Sequence, residues 1–304
     1  MANGRGEGVI KKMAVKNLTD DEIFAELSSI GIETGIDEVK AEAVEAGSPS
    51  VLAKAWADVS EAKDEKEDFL YEAALELWKR HLGHIRCPEL LAGFIDETVK
   101  MYEENPEEHD RFFLLKIYAR IKEFYDYLIK EDGSPDIDIY NDLTWHTHYD
   151  FEVFLLTMPF EFARHKLVDE AINIGRWFAD ISSQPANFLR DAGCILAEAG
   201  REAEAIRRIE ENLKRFPNDI WVVINAGDAM WSLDKIKLAE EFFLKAYKMA
   251  AKEYEKHGVL ERLIDLYKET GMIEKAKVCE KEYKELMALP NHLVKNKKTD
   301  RNNQ

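Results

Sequence analysis

The chain has 304 residues, 34% of them charged, and a formal net charge of -18, a field that repels a phosphate backbone and argues against nucleic acid as a partner. Its hydrophobic content of 46% suffices for a sizeable core, yet no run approaches the ~18 apolar residues of a membrane span, so no membrane association is expected. Three well-separated cysteines, Cys87, Cys194 and Cys279, fit neither a disulfide framework nor a cysteine zinc site, and read as core thiols of a cytoplasmic protein.

Residues 1–17 are basic but lack the apolar run of a signal peptide, and are expected to form a flexible tail. Helix signals then dominate residues 18–135, an expected irregular N-terminal helical region. Thr19 and Glu22 form a capping box ahead of Ile23, Phe24 and Leu27. Ser48-Pro49 supplies an N-cap followed by proline at the first helical position. Further on, Phe69, Ala73 and Leu77 share a stripe beside Leu70, Ala74 and Trp78. Cys87-Pro88 opens a helix carrying Leu91, Phe94, Ile95, Val99 and Tyr102 at helical spacing. The following helix, from Asp110 to Lys130, has aromatic residues on most sides and is expected to be buried all round. The segment Glu131–Asp142, with Gly-Ser-Pro and alternating aspartates, reads as a loop and as the seam between two halves. Residues 142–290 read as a helical repeat array. Pro290 ends its last helix, and 291–304 are expected to be a disordered basic tail. The one β-branched run, Trp221 to Asn225, lies inside a helical pattern, so the predicted class is all-α.

The array shows an internal period. Ala171, Ala205 and Ala239 are each 34 residues apart, and Ala276 follows after 37. Gly200 and Gly271 precede two of these alanines by five residues, while Gly193 and Gly227 stand twelve before Ala205 and Ala239. Small residues at fixed places let two antiparallel helices approach closely, and stacked hairpins bury the apolar faces that one hairpin leaves open.

This layout resembles the tetratricopeptide repeat family over about half of the chain. The best unit matches at Leu189, Gly193, Leu196, Ala205 and Pro217, and the next at Gly227, Ala239, Phe243 and Ala246. A looser unit carries Leu260, Tyr267, Ala276 and Tyr283. A degenerate one keeps Leu155, Ala171 and Phe178 but has Pro159 where the family prefers glycine. The resemblance implies a helical-hairpin solenoid whose first helices line a concave groove. Carried over by position, the groove holds Asn187, Arg190 and Cys194, then Trp221, Asn225, Asp228 and Trp231, then Arg262 and Asp265, with Val153, Leu156 and Phe160 from the degenerate unit. Asn225 sits where groove asparagines of the family hold a ligand's backbone, and Arg262 where carboxylate-binding members carry a cation. Gly258 and Asp191 occupy two further places of that clamp, so a full carboxylate clamp is not expected. The implied function is a non-enzymatic scaffold or adaptor that binds a protein or peptide segment, with acidic groove residues favouring a basic or mixed-charge ligand. The last helix, with Val278, Cys279, Tyr283, Leu286 and Met287, is a candidate surface for homo-oligomer formation.

Two other readings compete. One is a regulatory protein whose repeats sense a ligand while its N-terminal helices contact another macromolecule. The other is a metal-dependent enzyme centred on His146, His148 and Asp150, imidazole and carboxylate groups within five residues. His81 and His84 form a second histidine pair, read as cations at a helix C-terminus. No nucleophile elbow, phosphate loop or dinucleotide fingerprint is found, so no catalytic residue, metal or cofactor is assigned.

Overall fold

The computed structural model describes residues 14–60 and 66–288. The expected tail 291–304 and most of the expected tail 1–17 lie outside these residues. The end of the latter is not a free tail: Val15–Asn17 form a turn of 3₁₀ helix, and Val15 is buried. All regular structure among the described residues is helical, in keeping with the predicted class, and none of these helices is long and apolar enough to cross a membrane.

The described residues fall into two compact units, one of 14–107 with 119–151 and the other of 108–118 with 152–288. The first contains α1 (Asp20–Ser28), α2 (Ile36–Ala46), α3 (Pro49–Val59), α4 (Glu67–His81), α5 (Pro88–Glu103), most of α6 (Arg111–Leu128) and α7 (Ile137–His146). Local chemistry explains several starts. The Thr19 hydroxyl accepts from the Glu22 N–H at 3.3 Å while the Glu22 carboxylate accepts from the Thr19 N–H at 2.7 Å, completing the predicted box. Ser48 caps α3 and Pro49 occupies its first turn, while Pro88 does the same for α5. The core of this unit gathers Leu52 and Trp56 of α3 with Leu70, Ala73, Ala74, Leu77 and Trp78 of α4, the predicted stripe.

Two expectations need correction here. The segment Glu131–Asp142 is not a loop throughout, because α7 begins at Ile137, where the Asp136 carboxylate accepts from the Ile139 N–H and caps it. The helix α6 is not buried all round. Leu114, Ile117, Ile121 and Phe124 face inward, but Phe112 is exposed with the Lys116 ammonium over its ring at 4.9 Å.

The second unit contains α8 (Phe151–Arg164, from its second residue), α9 (Val168–Ala179), α10 (Pro185–Leu189), α11 (Ala192–Glu198), α12 (Glu202–Arg215), α13 (Ile220–Ser232), α14 (Ile236–Met249), α15 (Glu253–Glu269) and α16 (Ile273–Ala288). Helix α11 packs on α12 and α13, α13 also on α14 and α15, and α15 on α14 and α16. Ala171, Ala205, Ala239 and Ala276 each stand fourth in their helices, and all are buried. The turns before them share one geometry. Lys166, Gly200, Asp234 and Gly271 have φ of 60°, 73°, 56° and 73°, and they repeat at intervals of 34, 34 and 37 residues (200 − 166, 234 − 200, 271 − 234). The next residue in each case, Leu167, Arg201, Lys235 or Met272, donates its N–H to the carbonyl five residues back, the Schellman closure of the preceding helix.

Candidate functional site

Glycines set the depth of two of the hairpins, α11 with α12 and α13 with α14. A Cβ on Gly227 would lie 2.4 Å from the Phe243 ring, and one on Gly193 would lie 2.6 Å from the Ile209 side chain. The first and second helices of these hairpins therefore touch through bare backbone. That leaves the opposite faces of α11, α13 and α15 to line a groove of about 850 Å³.

Nine of the twelve groove residues expected from the sequence line this groove: Phe160, Arg190, Cys194, Trp221, Asn225, Asp228, Trp231, Arg262 and Asp265. The exceptions are Asn187, Leu156 and Val153, and Asn187 is the most informative. Its amide donates to Gln184 Oε1 at 2.7 Å and its oxygen accepts from Arg190 at 3.0 Å, and it lines a separate crevice of about 10 Å³ with Pro159 and Gly175. The reason is a break in the expected first helix. It is split into α10 and α11 around Arg190–Asp191, and the Gly175 backbone is drawn against the Phe188 carbonyl. Leu156 lines the same crevice, and Val153 is exposed without lining the groove. Sequence reasoning missed Glu198, Ser232 and Glu269. Glu198 and Glu269 lie one helical turn beyond Cys194 and Asp265, which is the signal that could have found them.

The groove floor is a ladder of polar contacts between successive hairpins. The Asn225 amide donates to Asp191 Oδ1, and Arg262 Nε reaches both Asp228 oxygens at 2.9 Å; each pair is 34 residues apart. Arg262 also donates to the Gly258 carbonyl at 3.0 Å, and the Cys194 thiol to the Asn225 carbonyl at 3.1 Å. Above the ladder, the Arg190 guanidinium lies 5.9 Å from the Trp221 ring, which stacks on Tyr254 at 6.4 Å. Trp231 meets Phe243 edge-on at 6.3 Å. Both groove tryptophans are half-buried, so each has one side packed and one side facing the groove.

Burial pushes the Asp228 carboxyl above its ordinary range, opposed by Arg262. Burial does the same to Asp191, opposed by Arg190 and Asn225. Burial also raises the Cys194 thiol well above its usual range, with the carboxylates of Asp228, Asp191 and Glu198 adding to it.

One histidine of each cluster is paired with a carboxylate. His148 Nδ1 lies 2.8 Å from the Asp96 carboxylate, which also accepts from the His148 and Tyr149 backbone N–H groups at 3.0 and 3.2 Å. His146 is half-buried at the end of α7. His81 Nε2 lies 2.6 Å from Asp20, while His84 is exposed. Among the described residues no group of three or more histidine, cysteine, aspartate or glutamate side chains is placed to hold a metal ion. No protein-family model matches the sequence, and no curated protein is significantly similar to it.

Proposed function

We propose that the protein is a non-enzymatic scaffold or adaptor of the cytoplasm, and that its second unit is a tetratricopeptide-like array holding a segment of a partner protein. The observation that carries this reading is the groove itself. Two half-buried tryptophans, an exposed phenylalanine and charged side chains converge there from four helical segments. Aromatic and arginine side chains in a concave, partly dry surface are the usual anchors of a protein interface. The 34-residue register of alanines, turns and cross-hairpin pairs supports a stacked-hairpin origin for that concavity. The Asn225 amide and Arg262 are already occupied by Asp191 and Asp228, which speaks against a clamp for a free C-terminal carboxylate.

Selection of displayed peptides on the full chain tests this reading. Trp221→Ala should weaken the selected peptides at least about tenfold, as expected for an interface anchor. Peptides that bind the variant as well as the wild type would place the binding surface elsewhere. Val278 and Met287 are exposed on α16 and support a second, weaker surface for self-association, which sedimentation over a concentration series would detect.

A further inference from the structure

The charges of the groove indicate what kind of segment it takes. Both of its arginines are engaged within the protein. Arg262 is held by Asp228 at 2.9 Å. Arg190 lies 3.8 Å from Asp191, donates to Asn187 and rests on Trp221. The carboxylates of Glu198, Asp265 and Glu269 are in the opposite condition: all three are exposed at the groove, and none makes an ion pair with another described residue. Glu198 stands on α11, and Asp265 and Glu269 stand one turn apart on α15. The tryptophans stand on α13, which packs against both of those helices.

Resting on the groove reading above, we propose that the occupant is a cationic segment of another protein, with two Lys or Arg side chains flanking an apolar residue. The apolar residue meets Trp221 and Trp231 while the cations meet Glu198 on one side and Asp265 with Glu269 on the other. Packed helices lie ~8–10 Å apart, so two steps from α11 to α15 span roughly 16–20 Å. An extended chain advances ~3.3 Å per residue, which puts the two cations about five or six residues apart. The overall charge of -18 draws such a segment in and repels acidic segments.

The test uses fluorescein-labelled synthetic peptides with two lysines about six residues apart and a leucine midway in a Gly/Ser background, together with versions carrying Gln or Glu for Lys. Fluorescence polarisation on the full chain should show the Lys peptide bound. The Gln version should be about tenfold weaker and the Glu version weaker still, and raising the salt should weaken the Lys peptide most. The double variant Asp265→Asn, Glu269→Gln should cost the Lys peptide several-fold and leave the Gln peptide unchanged. Its melting curve, matched to wild type, shows that the fold is intact. Equal or tighter binding of the Gln or Glu peptide, still lost in Trp221→Ala, overturns the cationic occupant and leaves the groove standing. Lys-peptide binding unaffected by Trp221→Ala overturns the groove reading as well, whereas a set of peptides of which none binds overturns the cationic occupant alone. If the Lys peptide binds only after removal of residues 289–304, which include Lys295, Lys297, Lys298 and Arg301, the occupant is the chain's own terminus and the proposal is wrong. Self-association that the Lys peptide reverses would likewise make the occupant a second copy.

Discussion

Two hairpins show how differently the two units are held. In the second unit, α13 meets α14 through Gly227, whose bare backbone lies against the buried Phe243 ring. The same device recurs at Gly193 one period earlier, and the turns and polar pairs repeat with it. In the first unit, α3 and α4 pack through Trp56, Leu77 and Trp78, and specific polar contacts link residues far apart in sequence. Arg80 and His81 meet Asp20, Ser50 meets Glu89, and the Tyr127 hydroxyl accepts from the Cys87 N–H. Each of those contacts occurs once. A repeated contact leaves a period in the sequence, and a contact made once leaves none.

Glycine substitutions break this comparison most sharply. Gly175→Ala should destabilise the chain by about 3 kcal/mol, because its Cβ would fall 2.4 Å from the Phe188 carbonyl oxygen, which cannot rotate away. Gly227→Ala should cost roughly 1–3 kcal/mol, since a fully buried ring must move. Gly93, within α5 of the first unit, is the control. A Cβ there would meet nothing within 4 Å, so Gly93→Ala should stabilise by about 0.5–1 kcal/mol. Denaturant titration of the three variants decides the matter, and equal effects in both units would end the distinction.

The turns offer a smaller effect. Gly200→Ala should cost about 1 kcal/mol, because an alanine must enter the left-handed region. Lys166→Gly should gain less than about 1 kcal/mol, as the relief is partly offset by the freedom glycine has in the unfolded chain. A gain at Lys166 together with a loss at Gly200 would establish that the two turns are energetically equivalent; any other pattern would separate them.

Titration gives the smallest effects, with opposite signs in the two units. Burial raises Asp191, so the folded chain holds that proton more tightly than the unfolded chain does. Its contribution to stability is present below the ordinary carboxyl pKa and is lost as the pH rises through the folded value. Asp191→Asn keeps an acceptor for the Asn225 amide and removes this loss, so the variant should melt at or above the wild-type temperature at neutral pH. Asp20 runs the other way. The hydrogen bond from Arg80 is the main cause that lowers its pKa, with His81 adding to it, so its contribution is present at neutral pH and is lost as the pH falls through the lowered value. Asp20→Asn should therefore flatten the acid limb of the stability profile, by less than about 1 kcal/mol for so exposed a pair. Melting curves over a pH series would show both effects.

Legibility followed the same division. The caps at Thr19 and Ser48 and the stripe through Leu70 and Leu77 were readable because they are local chemistry and helical spacing. The repeat register was readable from four alanines. Two of its four turns were not, because Lys166 and Asp234 adopt a conformation their residue types rarely signal. Most of the groove followed from that register. The break between α10 and α11 did not, since it arises from the approach of Gly175 to Phe188, and it carried Asn187 out of the site. The cross-hairpin pairs also changed the meaning of Asn225. It is a groove residue whose amide serves Asp191, so Asn225→Ala should cost stability as well as binding.

Hydrogen–deuterium exchange on the full chain, with and without a peptide selected on it, tests the central claim most directly. The account predicts that the peptide slows exchange in Ala192–Glu198, Ile220–Ser232 and Glu253–Glu269, and leaves Pro88–Glu103 and Ile137–His146 unchanged. Protection confined to those last two helices would contradict it.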